Sequence, residues 1–143
     1  MIGSKFTPSE ELNKLGFRLA LFHSWPLEKA VKTLAEMGYK SLELCLEHPE
    51  LSPDKLTEKE ISRIKKIIED GGLRVSSVSY FSSGDDVSVA LEEQKGGVEL
   101  ARELDCRILV VGTLPEAADP DGKKTYRALE ELLRLAEEKG VTI

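Results

Sequence analysis

The sequence predicts an α/β fold, with parallel strands in sequential order joined by crossover helices, amounting to about four and a half β/α units of a (β/α)8 TIM barrel. Three features point there. A helix–glycine–strand unit recurs along the chain, the second strand alternates apolar and polar residues, and the loops are short at one end of the strands and long at the other.

The unit is clearest over residues 30–47, AVKTLAEMGYKSLELCLE. Leu27, Val31 and Leu34 recur at helical spacing, Gly38 stops the helix, and an alternating strand opens at Ser41. Ile61, Ile64 and Ile68 mark a second helix that stops at Gly71 and Gly72 before a strand over 74–80. Val98, Ala101 and Leu104 lead through Asp105 to a strand over 107–111. Tyr126, Leu129, Leu133 and Ala136 predict a fourth helix face, with Gly140 and then Val141-Thr142-Ile143 beyond it. The strand starts repeat every ~33 residues, the length of one strand plus its crossover helix.

Taken in order, residues 1–16 are mixed and polar and read as a leader or short cap, with residues 17–143 forming the barrel portion. FRLALF, residues 17–22, is the first predicted strand. His23-Ser24-Trp25-Pro26 turns it into the first helix, where proline is tolerated in the opening turn. In the second strand Leu42, Leu44 and Leu46 share one face, and Ser41, Glu43, Cys45 and Glu47 the other. An inner strand of an open doubly wound sheet is apolar on both faces, whereas a barrel strand meets helices on one side and an interior that turns polar near its mouth on the other. Glu43 and Glu47 are therefore expected to point inward. Thr57 followed by Glu60 predicts a capping box, and Asp85 or Asp86 a cap on the third helix.

Helix-to-strand connections take about two to four residues, while the strand-to-helix loops run to roughly ten or more. In β/α barrels the latter build the active site, so the working face should hold His23, Trp25, Glu47, His48, Ser79 and Thr113.

Composition narrows the partners. A net charge of -6 argues against a nucleic-acid partner, whose phosphates call for clustered Lys and Arg. Cys45 and Cys106 have no close Cys or His spacing and read as two reduced, buried thiols with no metal site. No signal-peptide core precedes Phe17, and no apolar run reaches the roughly 18 residues of a membrane span. A cytoplasmic protein is expected.

The order of these pieces resembles the xylose isomerase-like barrel superfamily of sugar phosphate isomerases and epimerases and their endonuclease IV relatives. The likeness is carried by LEKAVKTLAEMGYKSLELCLEHPE, then ISRIKKIIEDGGLRVSSVSYF, GGVELARELDCRILVVGTL and LEELLRLAEEKGVTI, in that order. It covers nearly everything from Phe17 to Ile143. By that resemblance the complete enzyme holds one divalent cation, Mn2+ or Mg2+, between substrate oxygens, and two carboxylates move a proton beside a carbonyl. The ligands it implies lie on later strands, so no metal is expected in this segment. The endonuclease branch places histidines where Ser79 and Gly112 stand here, which leaves the isomerase or epimerase branch favoured.

The resemblance implies a sugar or sugar phosphate as the small-molecule partner, with His23, Trp25, Glu47 and Ser79 as candidate substrate-binding residues and no assigned catalytic group. Each has a plainer reading beside it. His23 can bond a sugar hydroxyl or shuttle a proton, or be a hydrogen-bonded structural histidine. Glu43 resembles the family's strand-two glutamate, or is a buried carboxylate paired inside the barrel. Trp25 can stack on a sugar ring or pack against the leader. His48, just ahead of a proline in a loop, reads as solvent-exposed. Asp85, Asp86, Asp119 and Asp121 read as turn and cap residues.

Two other readings fit the length: a non-catalytic half-barrel that pairs with another copy or another chain through its open edges, and a five-stranded flavodoxin-like domain. The chain closes on the strand-like residues Val141-Thr142-Ile143, which predicts a segment cut within strand five. Isomerase activity is not expected of it alone.

Overall fold

The computed structural model describes residues 15–81, 86–113 and 116–143. Four strands, β1 (Gly16–Arg18), β2 (Ser41–Cys45), β3 (Arg74–Tyr80) and β4 (Leu109–Val111), lie in the order β1-β2-β3-β4 with every neighbouring pair parallel. The helices α1 (Leu27–Glu36), α2 (Glu58–Asp70), α3 (Val87–Glu103) and α4 (Lys123–Lys139) alternate with them. Sequential order excludes the flavodoxin-like alternative, which would set strand one between strands two and three.

Burial explains the order. Leu42, Leu44 and Leu46 are fully buried in a core with Leu27, Val31 and Leu34 of α1 and Ile64 and Ile68 of α2. Gly97 of α3 sits so close to this layer that an added Cβ would lie 2.9 Å from a Leu109 methyl and 3.2 Å from one of Leu46. The leucine face of β2 is thus the helix side, and Glu43 faces away from it. Between β2 and β3 the register shifts at Leu42/Glu43, and Ser76 is the inserted residue, its hydroxyl bonding the Leu42 carbonyl at 3.1 Å. The bulge sets Ser77 opposite Glu43 and Ser79 opposite Cys45.

Several boundaries differ from expectation. β1 pairs only as far as Arg18, and residues Leu19–Phe22 wind into a 3-10 turn instead of continuing the strand. The turn drops Leu19 into the core and returns the Phe22 ring to 5.4 Å from Phe17 and 4.7 Å from Trp25, contacts an extended chain would forfeit. The expected leader lies outside the described residues except for Leu15 and Gly16, and Gly16 already pairs with Ser41. β4 starts at Leu109 rather than Arg107, because Asp105 and Arg107 both adopt left-handed backbone that cannot enter a ladder. Beyond α4, Thr142 bridges Ile108 in parallel, the place expected of a fifth strand.

The helix ends follow local chemistry. Thr57 Oγ1 accepts the Glu60 amide, but the Glu60 carboxylate binds Arg63 instead of reaching back, so only half of the expected capping box forms. Asp86 caps α3 by accepting the Ser88 and Val89 amides; Asp85 lies outside the described residues. Asp119 and Asp121 take the turn roles expected, accepting amides of Lys123, Lys124 and Thr125 ahead of or in the first turn of α4. The α4 face is rotated from expectation. Ala136 is buried as expected and Leu129 half-buried, but Leu132 rather than Leu133 enters the core, and Tyr126 is 65% exposed and Leu133 exposed too.

Candidate functional site

The C-terminal ends of parallel strands are where β/α folds gather polar loops, and here the loops after β1 and β2 meet beside Phe81 at the exit of β3. On the sheet face opposite the helices, Arg18, Glu43 and Ser77 stand in one row across β1, β2 and β3. Arg18 Nε donates to Glu43 Oε1 at 2.9 Å and Ser77 Oγ to Glu43 Oε2 at 2.8 Å, so both carboxylate oxygens are engaged. The Arg18 guanidinium also lies 5.0 Å from the centre of the Phe81 ring. Glu43 is therefore a paired carboxylate within the sheet.

One row nearer the strand ends, Cys45 and Ser79 face each other with the Ser79 hydroxyl 3.5 Å from the sulfur. Both are buried, because the 3-10 turn after β1 folds across them and presents the Ala20 backbone to the thiol. Burial raises the Cys45 thiol above its ordinary range, outweighing the hydrogen bond from Ser79. Ser79 thus lies beneath the site as a buried hydroxyl. Cys106 is half-buried and likewise free.

The outermost row carries the loops. Glu47 is exposed, and its carboxylate accepts the Phe81 amide at 2.5 Å, tying the β2 exit to the β3 exit. His48, expected to be solvent-exposed, is 2% exposed. Its Nε2 lies 2.9 Å from the Trp25 carbonyl and its Nδ1 accepts the Glu50 amide at 3.2 Å. Buried polar groups persist where both partners are supplied, and the loops after β1 and β2 supply them.

His23 is exposed, its ring 6.5 Å from that of His48. Trp25 is half-buried against Phe22, with Lys29 Nζ 4.0 Å from the centre of its ring, one helical turn along. His23, Trp25 and His48 are thus brought together, while Glu47 joins the β3 end. Thr113 is separate: with Gln94, Gly112 and Thr125 it lines a cleft of about 20 Å³ between α3 and α4, room for roughly one water.

Glu50, which the sequence reading passed over, is the keystone of these loops. Its Oε1 accepts the Leu27 amide at 2.8 Å and its Oε2 the Arg63 guanidinium at 2.9 Å, joining the start of α1 to α2. Partial burial works to raise its carboxyl, but the Leu27 amide and Arg63 win and hold it below the ordinary glutamate range. No short motif announces such a role, because its partners lie 23 and 13 residues away. Arg18 was also passed over, although parallel register with Glu43 would have flagged it.

A family model for the xylose isomerase-like TIM barrel matches residues 31–143. No curated protein matches the chain by sequence. Among solved structures it is similar to a D-tagatose 3-epimerase-like protein at 19% identity and a TM-score of 0.68, over 90% of this chain and 50% of that one. A sugar phosphate isomerase/epimerase from Parabacteroides distasonis is 18% identical with a TM-score of 0.63, over 94% of this chain and 51% of that one. D-psicose 3-epimerase from Clostridium cellulolyticum, crystallised with D-tagatose, is 14% identical with a TM-score of 0.63, over 88% and 49%. At these identities the likeness is one of fold. The chain spans about half the length of the structures it matches.

Proposed function

The chain belongs to the xylose isomerase-like TIM barrel family, and from that premise we propose that it forms one wall of the sugar pocket of a sugar or sugar phosphate isomerase/epimerase. The observation that carries this reading is the family match over residues 31–143. His23, Trp25 and Glu47 sit on the loops that follow β1 and β2, where such a wall belongs. In this reading Trp25 offers an apolar edge to the sugar ring, His23 and Glu47 bond its hydroxyls, and Ser79 holds the floor through Cys45.

Among the described residues no group of three or more His, Cys, Asp and Glu side chains is arranged to hold a metal ion. The described residues do not fit the Mn2+ or Mg2+ of the resemblance, and the chemistry assigned to them is binding and orientation. Among the described residues, no helix is long and apolar enough to cross a membrane. A cytoplasmic setting, without nucleic-acid partners, goes with the reading and is supported by two free thiols and the net charge of -6.

Trp25 is the single tryptophan, so sugar binding can be read from its fluorescence. Titration at constant pH with D-tagatose, D-fructose and a ketose phosphate should give a saturable change that Glu47→Gln weakens. Absence of saturation with every sugar up to ~10 mM, equivalent to less than about 3 kcal/mol of binding, would remove this chain from the pocket wall.

A further inference from the structure

The loop after β2 grips the loop after β1 through His48 on the Trp25 carbonyl and Glu50 on the Leu27 amide, and the two grips are joined where the Glu50 amide donates to His48 Nδ1. These contacts fix the tautomer. A carbonyl only accepts, so Nε2 carries the hydrogen, and Nδ1 facing an N–H must present its lone pair. The grip requires a neutral imidazole.

Protonation would set a hydrogen on Nδ1 against the Glu50 N–H, two donors 3.2 Å apart in a site where His48 is 2% exposed. With His48 buried from solvent, the Glu50 backbone must turn away, taking with it the carboxylate that caps Leu27. The charged and titratable groups around His48 do not prevent this. Glu50 favours an imidazolium but is already committed to Leu27 and Arg63 of α2, and Glu47 is committed to the Phe81 amide. Lys55 holds the Pro49 carbonyl on the same loop, and the His23 ring, 6.5 Å away on the facing loop, adds repulsion if it too is charged.

We propose that His48 is a proton-operated latch: neutral, it holds the Trp25 loop against the loop after β2, and protonation releases it. The latched form binds one proton fewer than the open form, so acid favours opening. The latch concerns how this chain's loops move and does not depend on which sugar, if any, they bind.

The chain contains one Trp and two His, which makes the test specific. Trp25 emission, followed without sugar from pH 8 to 5, should show a one-proton red shift. His48→Gln, which keeps an N–H for the Trp25 carbonyl and cannot titrate, should abolish the shift, and His23→Gln should retain it. A flat wild-type profile, or any pattern other than loss in His48→Gln alone, overturns the latch. Should His48→Gln fail to fold, nitrogen-15 spectra of the wild type decide instead. Glu50 and Leu27 amide shifts that follow the titration of the His48 ring support the latch, and shifts that stay flat through it refute it.

Discussion

The two ends of the sheet are finished in different ways. At β1 the polar groups are cross-linked, Arg18 and Ser77 to Glu43, Trp25 to His48, Leu27 to Glu50, and Glu50 to Arg63, with Leu15 and Leu21 exposed beside them. At β4 the strand is three residues long, and Ile108 just before it, Val110 on it and Tyr126 and Leu133 on α4 all stand exposed. The first end satisfies its polar groups from its own loops. The second has few polar links, and its exposed Ile108, Val110 and Leu133 gain from being covered.

The largest expected difference lies in side-chain truncation. Leu44→Ala, at a fully buried position of β2, should lower unfolding free energy by about 2–5 kcal/mol, whereas Val110→Ala on β4, 38% exposed, should cost less than about 1 kcal/mol. Urea unfolding of the two variants measures both. Equal losses would mean that the β4 end is as tightly packed as the β2 centre, and the contrast between the ends would collapse.

Association sharpens the same contrast. Fully burying an Ile, Val or Leu is worth about 1.5–3 kcal/mol, so covering the exposed two-fifths or so of Ile108, Val110 and Leu133 adds roughly 1 kcal/mol each toward contact. The 143-residue chain should therefore self-associate at tens of micromolar, and Val110→Lys should shift it toward monomer while Leu21→Lys should not. Light scattering from an already monomeric wild type would show that the exposed residues of β4 and α4 need no cover.

The parallel sequential fold was legible because it is written in period. The glycines that stop α1, α2 and α4 and the leucine alternation of β2 are local signals, and each sits where a helix or a strand must end or face. What failed was whatever depended on a partner distant in sequence. FRLALF reads as a strand until Phe22 finds Phe17 and Trp25; His48 reads as exposed until the Trp25 carbonyl covers it; Tyr126 reads as core until α3 selects another face of α4. The candidate site was visible as a set of loops and not as a set of contacts. Glu50, which ties those loops together, carries no local pattern at all.

Glu50 supplies the next prediction. Replacing it with Ala leaves the Leu27 amide at the start of α1 and the Arg63 guanidinium without their acceptor, which should cost about 1–2 kcal/mol. Glu50→Gln keeps an oxygen for Leu27 and should cost less. The pH dependence has a definite sign. A carboxyl held below its ordinary value contributes stability that is complete above the unfolded value, about 4.3, and is lost as pH falls through the lower folded value. Wild-type stability should fall more steeply than that of Glu50→Gln below about pH 4, and parallel curves would remove Glu50 as a contributor.

The smallest effect is expected where the network looks richest. The Arg18–Glu43 pair is short, but the Arg18 side chain is 47% exposed, so screening and the entropy of holding it offset most of the attraction. Arg18→Ala should cost less than about 1 kcal/mol, some of it from the contact with Phe81. Glu43 keeps Ser77 in that variant and still reaches water, so no charge is stranded. Glu43→Ala removes the acceptor of both Arg18 and the nearly buried Ser77 hydroxyl, and should cost more than Arg18→Ala for that reason. A double-mutant cycle of Arg18→Ala with Glu43→Ala isolates the pair, with a coupling below about 1 kcal/mol expected. A coupling of several kcal/mol would show that the row Arg18, Glu43 and Ser77 behaves as a buried network, and that the β1 end is held by charge more than by its loops.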